Sequence, residues 1–237
     1  MHISFLVPVR QRSEDLVRLR DFVLPGILAA DCECLTIHES TYCDPSLVES
    51  LCSVGARSFL VTQQNHRFHK TRLLNLLLAR ANGKYVIPFD SDLLPLFSIN
   101  KLVQLVLTSP FLVLGGYRLM SGHLHPSECE PFGLALPASA PEDCSGAIYK
   151  QLARGESFLV CPAFQTQYLV DIGGWDERFI GWGCEDQDVL ERYQNRTGFT
   201  PARSPKLLYL HYDHPPSQGW NDDELVQANR SYYYSCR

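Results

Sequence analysis

The sequence predicts an α/β domain with a mostly parallel, mixed central sheet and helices on both of its faces. Short apolar runs alternate with segments of helical spacing through the first 117 residues, the pattern of strands joined by crossover helices. The chain length suits one such domain. An acidic pair, in "PFDSDLLP" (88–95), follows directly on an apolar run, at the carboxyl end of a strand where such sheets bind ligands.

The elements follow in order. "HISFLVPV" (2–9) reads as a buried strand, and Ser13 opens a helix carrying Leu16, Leu19 and Val23 that ends near Pro25. "CLTIHE" (34–39) is a second strand; Asp44 and Pro45 start a helix that Gly55 stops. "SFLVT" (58–62) is a third strand. A helix from about His69 sets Leu73, Leu74, Leu77, Leu78 and Ala81 on one face and stops at Gly83. "YVIPF" (85–89) is a fourth strand, Ser98 starts another helix, and "FLVLGGY" (111–117) is a further strand. Residues 118–156, rich in Pro, Ser, Gly and acids, read as a flexible loop or lid. A helix from about Gln165, the run "GGWDERFIGWGCEDQDVLERY" (173–193), a strand "KLLYLHY" (206–212) and a helix "DDELVQANRSYYY" (222–234) complete the chain. With no repeat and no linker, residues 1–237 read as a single domain.

Composition narrows the function classes. The chain is 45% hydrophobic and 20% charged, as ordinary globular proteins are. A net charge of −5 argues against a nucleic-acid partner, which needs clustered Lys and Arg. No apolar run approaches the ~20 residues of a membrane span, although peripheral membrane contact stays compatible. The start, "MHISFLVPVRQRSEDL", lacks the features of a signal peptide. Nine cysteines, an odd number with no Cys-x-x-Cys pair, read as reduced packing thiols rather than a disulfide framework or zinc site. The expected location is the cytoplasm.

Four stretches carry chemistry. Asp90-Ser91-Asp92 reads either as a helix-capping turn or as a metal–diphosphate site, since carboxylates suit Mg²⁺ and Mn²⁺. On a strand, residues i and i+2 point to the same side, so the two carboxylates would repel unless a ligand relieved them. In "GWGCEDQD" (181–188), Trp182 stands between glycines and Glu185, Asp186 and Asp188 open a helix. That is either an acidic helix start, favoured by the dipole, or a sugar-stacking ring beside a general base. In "YLHYDHPP" (209–216), His211 and His214 follow a strand and are candidate metal ligands beside a carboxylate. In "VPVRQR" (7–12), Arg10 and Arg12 are either solvent-facing or suited to a diphosphate or uracil.

Together these segments resemble the β-1,4-galactosyltransferase family, inverting enzymes of the GT-A, or nucleotide-diphospho-sugar transferase, fold. "PVRQR" (8–12) looks like the family's P-F-R-N-R, and "FHKTRLLN" (68–75) like its F-N-R-A-K-L-L-N. "FDSDLLP" (89–95) looks like F-H-D-V-D-L-I-P, and "GWGCEDQD" like G-W-G-G-E-D-D-D. Chondroitin-polymerase-type transferases share some later features.

The resemblance implies a metal-dependent inverting transfer of a hexose or N-acetylhexosamine, galactose or GalNAc first, from a UDP-sugar to a hydroxyl of a carbohydrate or glycoconjugate. Pro8, Val9, Arg10 and Arg12 would contact the uridine diphosphate, Phe68 would stack near the uracil, and Lys70 stands where the family has a nucleotide-holding arginine. Asp90, with Ser91, would contact the nucleotide sugar, and Asp92 would bind Mn²⁺ or Mg²⁺. Trp182 and Gly183 would meet the sugars, Glu185 would bind the acceptor, and Asp186 would be the catalytic base. The family's later metal ligands map to His211 and His214, or to Tyr209 and His211. Two departures stand out: Cys184 replaces a glycine beside the base, and "SFLVCPA" (157–163) lacks the glycine pair that floors the donor site. The missing anchor and disulfides of the animal members suggest a soluble relative of bacterial type. Two rival readings remain. One is a metal-dependent nucleotidyltransferase or sugar-nucleotide hydrolase; the other is a non-catalytic carbohydrate-binding scaffold of the same fold.

Overall fold

The computed structural model describes residues 1–10, 13–62, 67–120, 159–212 and 223–237. Arg12, His214 and nearly all of the expected 118–156 lid lie outside the described residues; Arg118 to Met120 end a strand instead.

Strands β1 (Ile3–Val9), β2 (Glu33–Glu39), β3 (Arg57–Val61) and β4 (Tyr85–Pro88) fall where the apolar runs predict. They are parallel, in the order β3-β2-β1-β4. The helices between them are α1 (Ser13–Arg18), α2 (Leu24–Ala29), α3 (Pro45–Ser53) and α4 (Lys70–Leu78). The first prediction of a stop near Pro25 is corrected. A π turn over Leu19–Val23 is followed by α2, with Pro25 in its first turn, where a missing N–H leaves no bond broken. Asp44 caps α3 by accepting from the Ser46 amide at 2.9 Å.

The second half of the sheet departs from sequence expectation. Past β5 (Leu93–Pro95) and α5 (Ile99–Leu107), β6 (Leu112–Met120) is joined to β4 by β7 (Val160–Gln165), antiparallel to both. The short helix α6 (Thr166–Asp171) follows β7 directly. Long helix α7 (Glu185–Thr197) leads into β8 (Thr200–His211), parallel to β6 and antiparallel to β5. Helix α8 (Asp223–Ser235) ends the chain. The order of the eight described strands is β3-β2-β1-β4-β7-β6-β8-β5.

Alternation along β1 divides the core. Phe5, Val7 and Val9 face a cluster with Leu16, Leu24, Ile27, Leu102 and Tyr209. Leu6 faces the other, with Leu73, Leu77, Phe164, Trp175 and Tyr193. At roughly 1.5–3 kcal/mol for each large apolar side chain buried, both layers hold the sheet rigid beneath the carboxyl ends of β1 and β4. Among the seven described cysteines, Cys32, Cys34 and Cys161 are buried, as packing thiols should be, but Cys52 and Cys236 are exposed. No helix of the described residues is long and apolar enough to cross a membrane.

Candidate active site

The acidic pair sits on a turn between β4 and β5, not on a strand. That corrects the same-side expectation. Asp90 turns to Lys70, with Oδ1 3.1 Å from Nζ. Asp92 turns the other way, to His211, with Oδ2 3.6 Å from Nε2. Each carboxylate thus has its own partner. Ser91, between them, is buried.

Sheet register sets the Asp92–His211 pair. Leu93 of β5 lies opposite His211 of β8, and the Tyr212 amide donates to the Asp92 carbonyl at 3.0 Å. Carboxylate and imidazole are a donor set that Mn²⁺ accepts. Among the described residues no group of three His, Cys, Asp or Glu side chains could hold a metal. Two protein ligands suffice where diphosphate oxygens and water complete the shell, so the residues present fit a nucleotide-bound cation. Tyr209, two residues before His211 on β8, is buried with its ring edge-on to Phe89 and Phe97. Cys161 occupies a left-handed backbone conformation, φ 49°, without the glycine that suits it.

The other side of the site is assembled by docking α4 on the 175–181 segment. His69 Nε2 bonds the Glu177 carbonyl at 2.7 Å, Thr71 Oγ1 donates to the Phe179 carbonyl at 3.0 Å, and the Gly181 amide donates to the Phe68 carbonyl at 3.0 Å. Asn75 both donates to the Trp175 carbonyl, at 2.8 Å, and accepts from its amide, at 2.9 Å. Phe68 itself is buried in the second core. Two quoted motifs, "FHKTRLLN" and the "GGWDERFIGWG" run, are thereby two sides of one seam. Gly174 is packed into it. Its φ is 69°, and a Cβ there would lie 2.3 Å from Asn75 Oδ1. Gly174→Ala is expected to cost roughly 2–5 kcal/mol, combining left-handed strain with overpacking. A urea midpoint within error of wild type would contradict this.

Gly181, Gly183 and Cys184 then take positive φ of 75°, 118° and 65°, bending the chain sharply into α7. The bend leaves the Trp182 ring 44% exposed, presented as the flanking glycines predict. Cys184 holds a left-handed conformation of the kind that suits glycine. Glu185 folds back, accepting from the Gly183 amide at 2.9 Å. Asn229 of α8 donates to the Ile180 and Trp182 carbonyls at 2.9 and 3.0 Å. Sequence reasoning missed Asn229, because nothing in "DDELVQANRSYYY" distinguishes it from a surface helix residue.

Lys70 links the two sides. Its ammonium, 3.1 Å from Asp90, is 3.9 Å from Asp186 Oδ2. Burial works against its charge, but Asp186, Asp90 and Glu185 outweigh that and hold it protonated well above the usual lysine range. Burial raises the Asp186 carboxyl, against the pull of Lys70 and with the push of Asp90. Burial and the Asp186 charge push Glu185 up to about 7.

At the β1 and β2 ends, Arg10 turns inward. Its Nε is 3.6 Å from Glu39, and its guanidinium lies 4.6 Å over the Tyr42 ring. A small cleft of about 10 Å³ lies here, lined by Val9, Leu16, His38, Glu39 and Tyr42 among others. Pro8 and Val9 are buried strand residues beneath it. Burial pushes Glu39 up to about 7, against the pull of Arg10. A carboxyl raised on folding stabilises the fold fully below its unfolded value, and that contribution is lost as pH rises through about 7. Glu39→Gln escapes this loss. Its thermal midpoint is expected to gain on wild type as pH rises from about 5 to about 8; a pH-independent difference would refute the assignment.

Comparison with known proteins bears on the fold. Residues 160–215, spanning β7 to β8, match the family model described as the N-terminal domain of galactosyltransferase. A search of curated proteins gives no match. Among solved structures, the mannosyltransferase PcManGT from Pyrobaculum calidifontis, in complex with GDP-Man and Mn²⁺, aligns over 92% of this chain with a TM-score of 0.62 at 17% identity. S. aureus TarS aligns over 91% at 0.61 and 17%. TarS in complex with UDP-GlcNAc aligns over 91% at 0.59 and 14%. The chain has the GT-A fold of these glycosyltransferases. It spans 58% of the PcManGT chain and 37% and 59% of the two TarS chains. In this GT-A domain the segment matching the family model contains Trp182, Glu185, Asp186 and His211, and the Asp-x-Asp turn reaches it through β5.

Proposed function

We propose that this domain is a metal-dependent inverting glycosyltransferase. It would move a hexose or N-acetylhexosamine, galactose or GalNAc first, from a UDP-sugar to an acceptor hydroxyl on a carbohydrate or glycoconjugate. The observation that carries the reading is the convergence of Asp90 and Asp186 on one buried ammonium. On this reading Asp90 is the donor-side carboxylate and Asp186 the acceptor-side one, and the shared ammonium supports their acting in one site.

In this mechanism Trp182 stacks on a sugar face and Glu185 hydrogen-bonds the acceptor. Asp186 takes the proton from the acceptor hydroxyl as its oxygen bonds the anomeric carbon. The bond to the diphosphate oxygen breaks on the opposite face, and the nucleotide diphosphate leaves with the electron pair. Asp90 and Ser91 orient the donor. Asp92 and His211, with His214 as a further candidate, would hold Mn²⁺ or Mg²⁺, which when bound neutralises charge on the diphosphate. Arg10, Arg12, Pro8, Val9 and Phe68 are assigned to the nucleotide end. Residues 1–237 are assigned to a single domain, and free thiols among the described residues fit a cytoplasmic location.

The neighbours' own complexes, one with GDP-Man and one with UDP-GlcNAc, support a nucleotide-sugar donor. Calorimetric titration of UDP and, separately, GDP, with Mn²⁺ and then with chelator, tests it. Metal-dependent binding of UDP in preference to GDP is expected. Binding that ignores the chelator removes the metal from the reading, and no binding of either nucleotide removes the transferase.

A further inference from the structure

Lys70 is the residue whose placement the mechanism above leaves unused. It is the first residue of α4, its side chain is 8% exposed, and the hydrogen bonds of the α4 seam fix its helix against the 175–181 segment. Its single positive charge faces three acids from two elements: Asp90 on the turn after β4, and Glu185 and Asp186 at the start of α7. The groups facing Asp186 in turn are Lys70, Asp90, Glu185 and, from β6, Arg118. Of these, Lys70 opposes the effect of burial most strongly.

We propose that Lys70 is a positioning residue that couples the two halves of the site. Its ammonium clamps Asp186 in the empty protein and is drawn away by the donor's diphosphate, so the carboxylate is freed once the donor is seated. This rests on the reading of Asp186 as the base and of Asp90 as a donor contact. The geometry supplies the reason. A donor group that reaches Asp90 Oδ1 meets the atom that already holds Lys70 at 3.1 Å, so donor and clamp compete. The donor's diphosphate, with one negative charge on each phosphorus, competes with the two carboxylates for the ammonium, and an ammonium on a four-carbon stem can re-aim its three donors. Lysine suits this better than arginine, whose rigid fork fixes its partners. Coupling of this kind is reciprocal: whatever strengthens the Lys70–Asp186 contact weakens donor binding by the same factor.

The test needs no turnover. The full chain is labelled with carboxyl-¹³C aspartate, and the Asp186 signal is assigned by its loss in Asp186→Asn. Its titration midpoint is then read in wild type, Lys70→Met, Lys70→Arg and Asp90→Asn, each with and without UDP and diamagnetic Mg²⁺. Lys70→Met is expected to raise the midpoint by about one unit or more, the effect of losing a nearby opposite charge. Lys70→Arg should restore it, and Asp90→Asn, which leaves the ammonium to Asp186, should lower it. UDP with Mg²⁺ should raise the midpoint in wild type and move it by clearly less in Lys70→Met. Equal midpoints in wild type and Lys70→Met would overturn the clamp. Should Lys70→Met not fold, an unchanged midpoint in Asp90→Asn would overturn it equally. Equal nucleotide-induced shifts in wild type and Lys70→Met would overturn the coupling, as would UDP that does not bind. Retained transfer in Asp186→Asn would instead remove the base assignment, a different result from any midpoint.

Discussion

Asp186→Asn is expected to lower sugar transfer by roughly 10²–10⁴-fold, the usual worth of a positioned general base, while UDP binding is retained or tightened. The side chain is isosteric, so the Lys70 contact loses charge but not shape. Asp186 sits on the first turn of α7, held by the bend at Gly181–Cys184 and by Asn229 from α8, neither of which depends on its charge. The measurement is single-turnover transfer from the donor that the binding screen selects, beside a UDP titration. Turnover within about tenfold of wild type would exclude Asp186 as the base and direct attention to Glu185, its buried neighbour. Loss of UDP binding together with turnover would show a folding or packing defect instead.

The second large effect is expected at the other end of the site. Asp92→Ala removes the carboxylate that faces His211 at 3.6 Å. Metal-dependent UDP binding should weaken by more than about 10–100-fold, the loss typical even for residues standing behind a metal ligand. The Asp92 carbonyl keeps its bond from the Tyr212 amide, so β5 and β8 should remain paired and the fold should survive. Mn²⁺ dependence of UDP affinity, followed by calorimetry in wild type and variant, reads this directly. A variant that still binds UDP tightly, with the same dependence on Mn²⁺, would take Asp92 out of the metal site.

Much of the first half of the fold was legible because its signals are local. The apolar runs at 2–9, 34–39, 58–62 and 85–89 are β1 to β4. The Asp44 and Ser98 caps work as read, accepting from the Ser46 and Lys101 amides. Strand β7 was not legible. "VCPAFQ" carries a proline and no alternation, yet it runs through the middle of the sheet, antiparallel to both neighbours. A three-residue strand such as β5 leaves too short a pattern to see. The helix from about Gln165 was read correctly but without the strand before it.

By itself the sequence determined the alternating α/β architecture, the place of the Asp-x-Asp pair after β4, the exposed Trp182 between glycines and the acidic start of α7. Each of these follows from residue type and spacing within one element, where propensity, capping and side-chain period act. The tertiary structure alone decided that Asp90 and Asp92 part company, one to Lys70 and the other to His211. It also decided that the 68–75 and 173–181 segments form one seam, and that α8 reaches back through Asn229 to hold the Trp182 loop. Those pairings join residues about a hundred positions apart for Asn75 and Trp175, and about fifty for Asn229 and Trp182. A side chain's direction at such a distance is fixed by which strands pair and in what register, and that depends on burial summed over both cores rather than on any single stretch of chain.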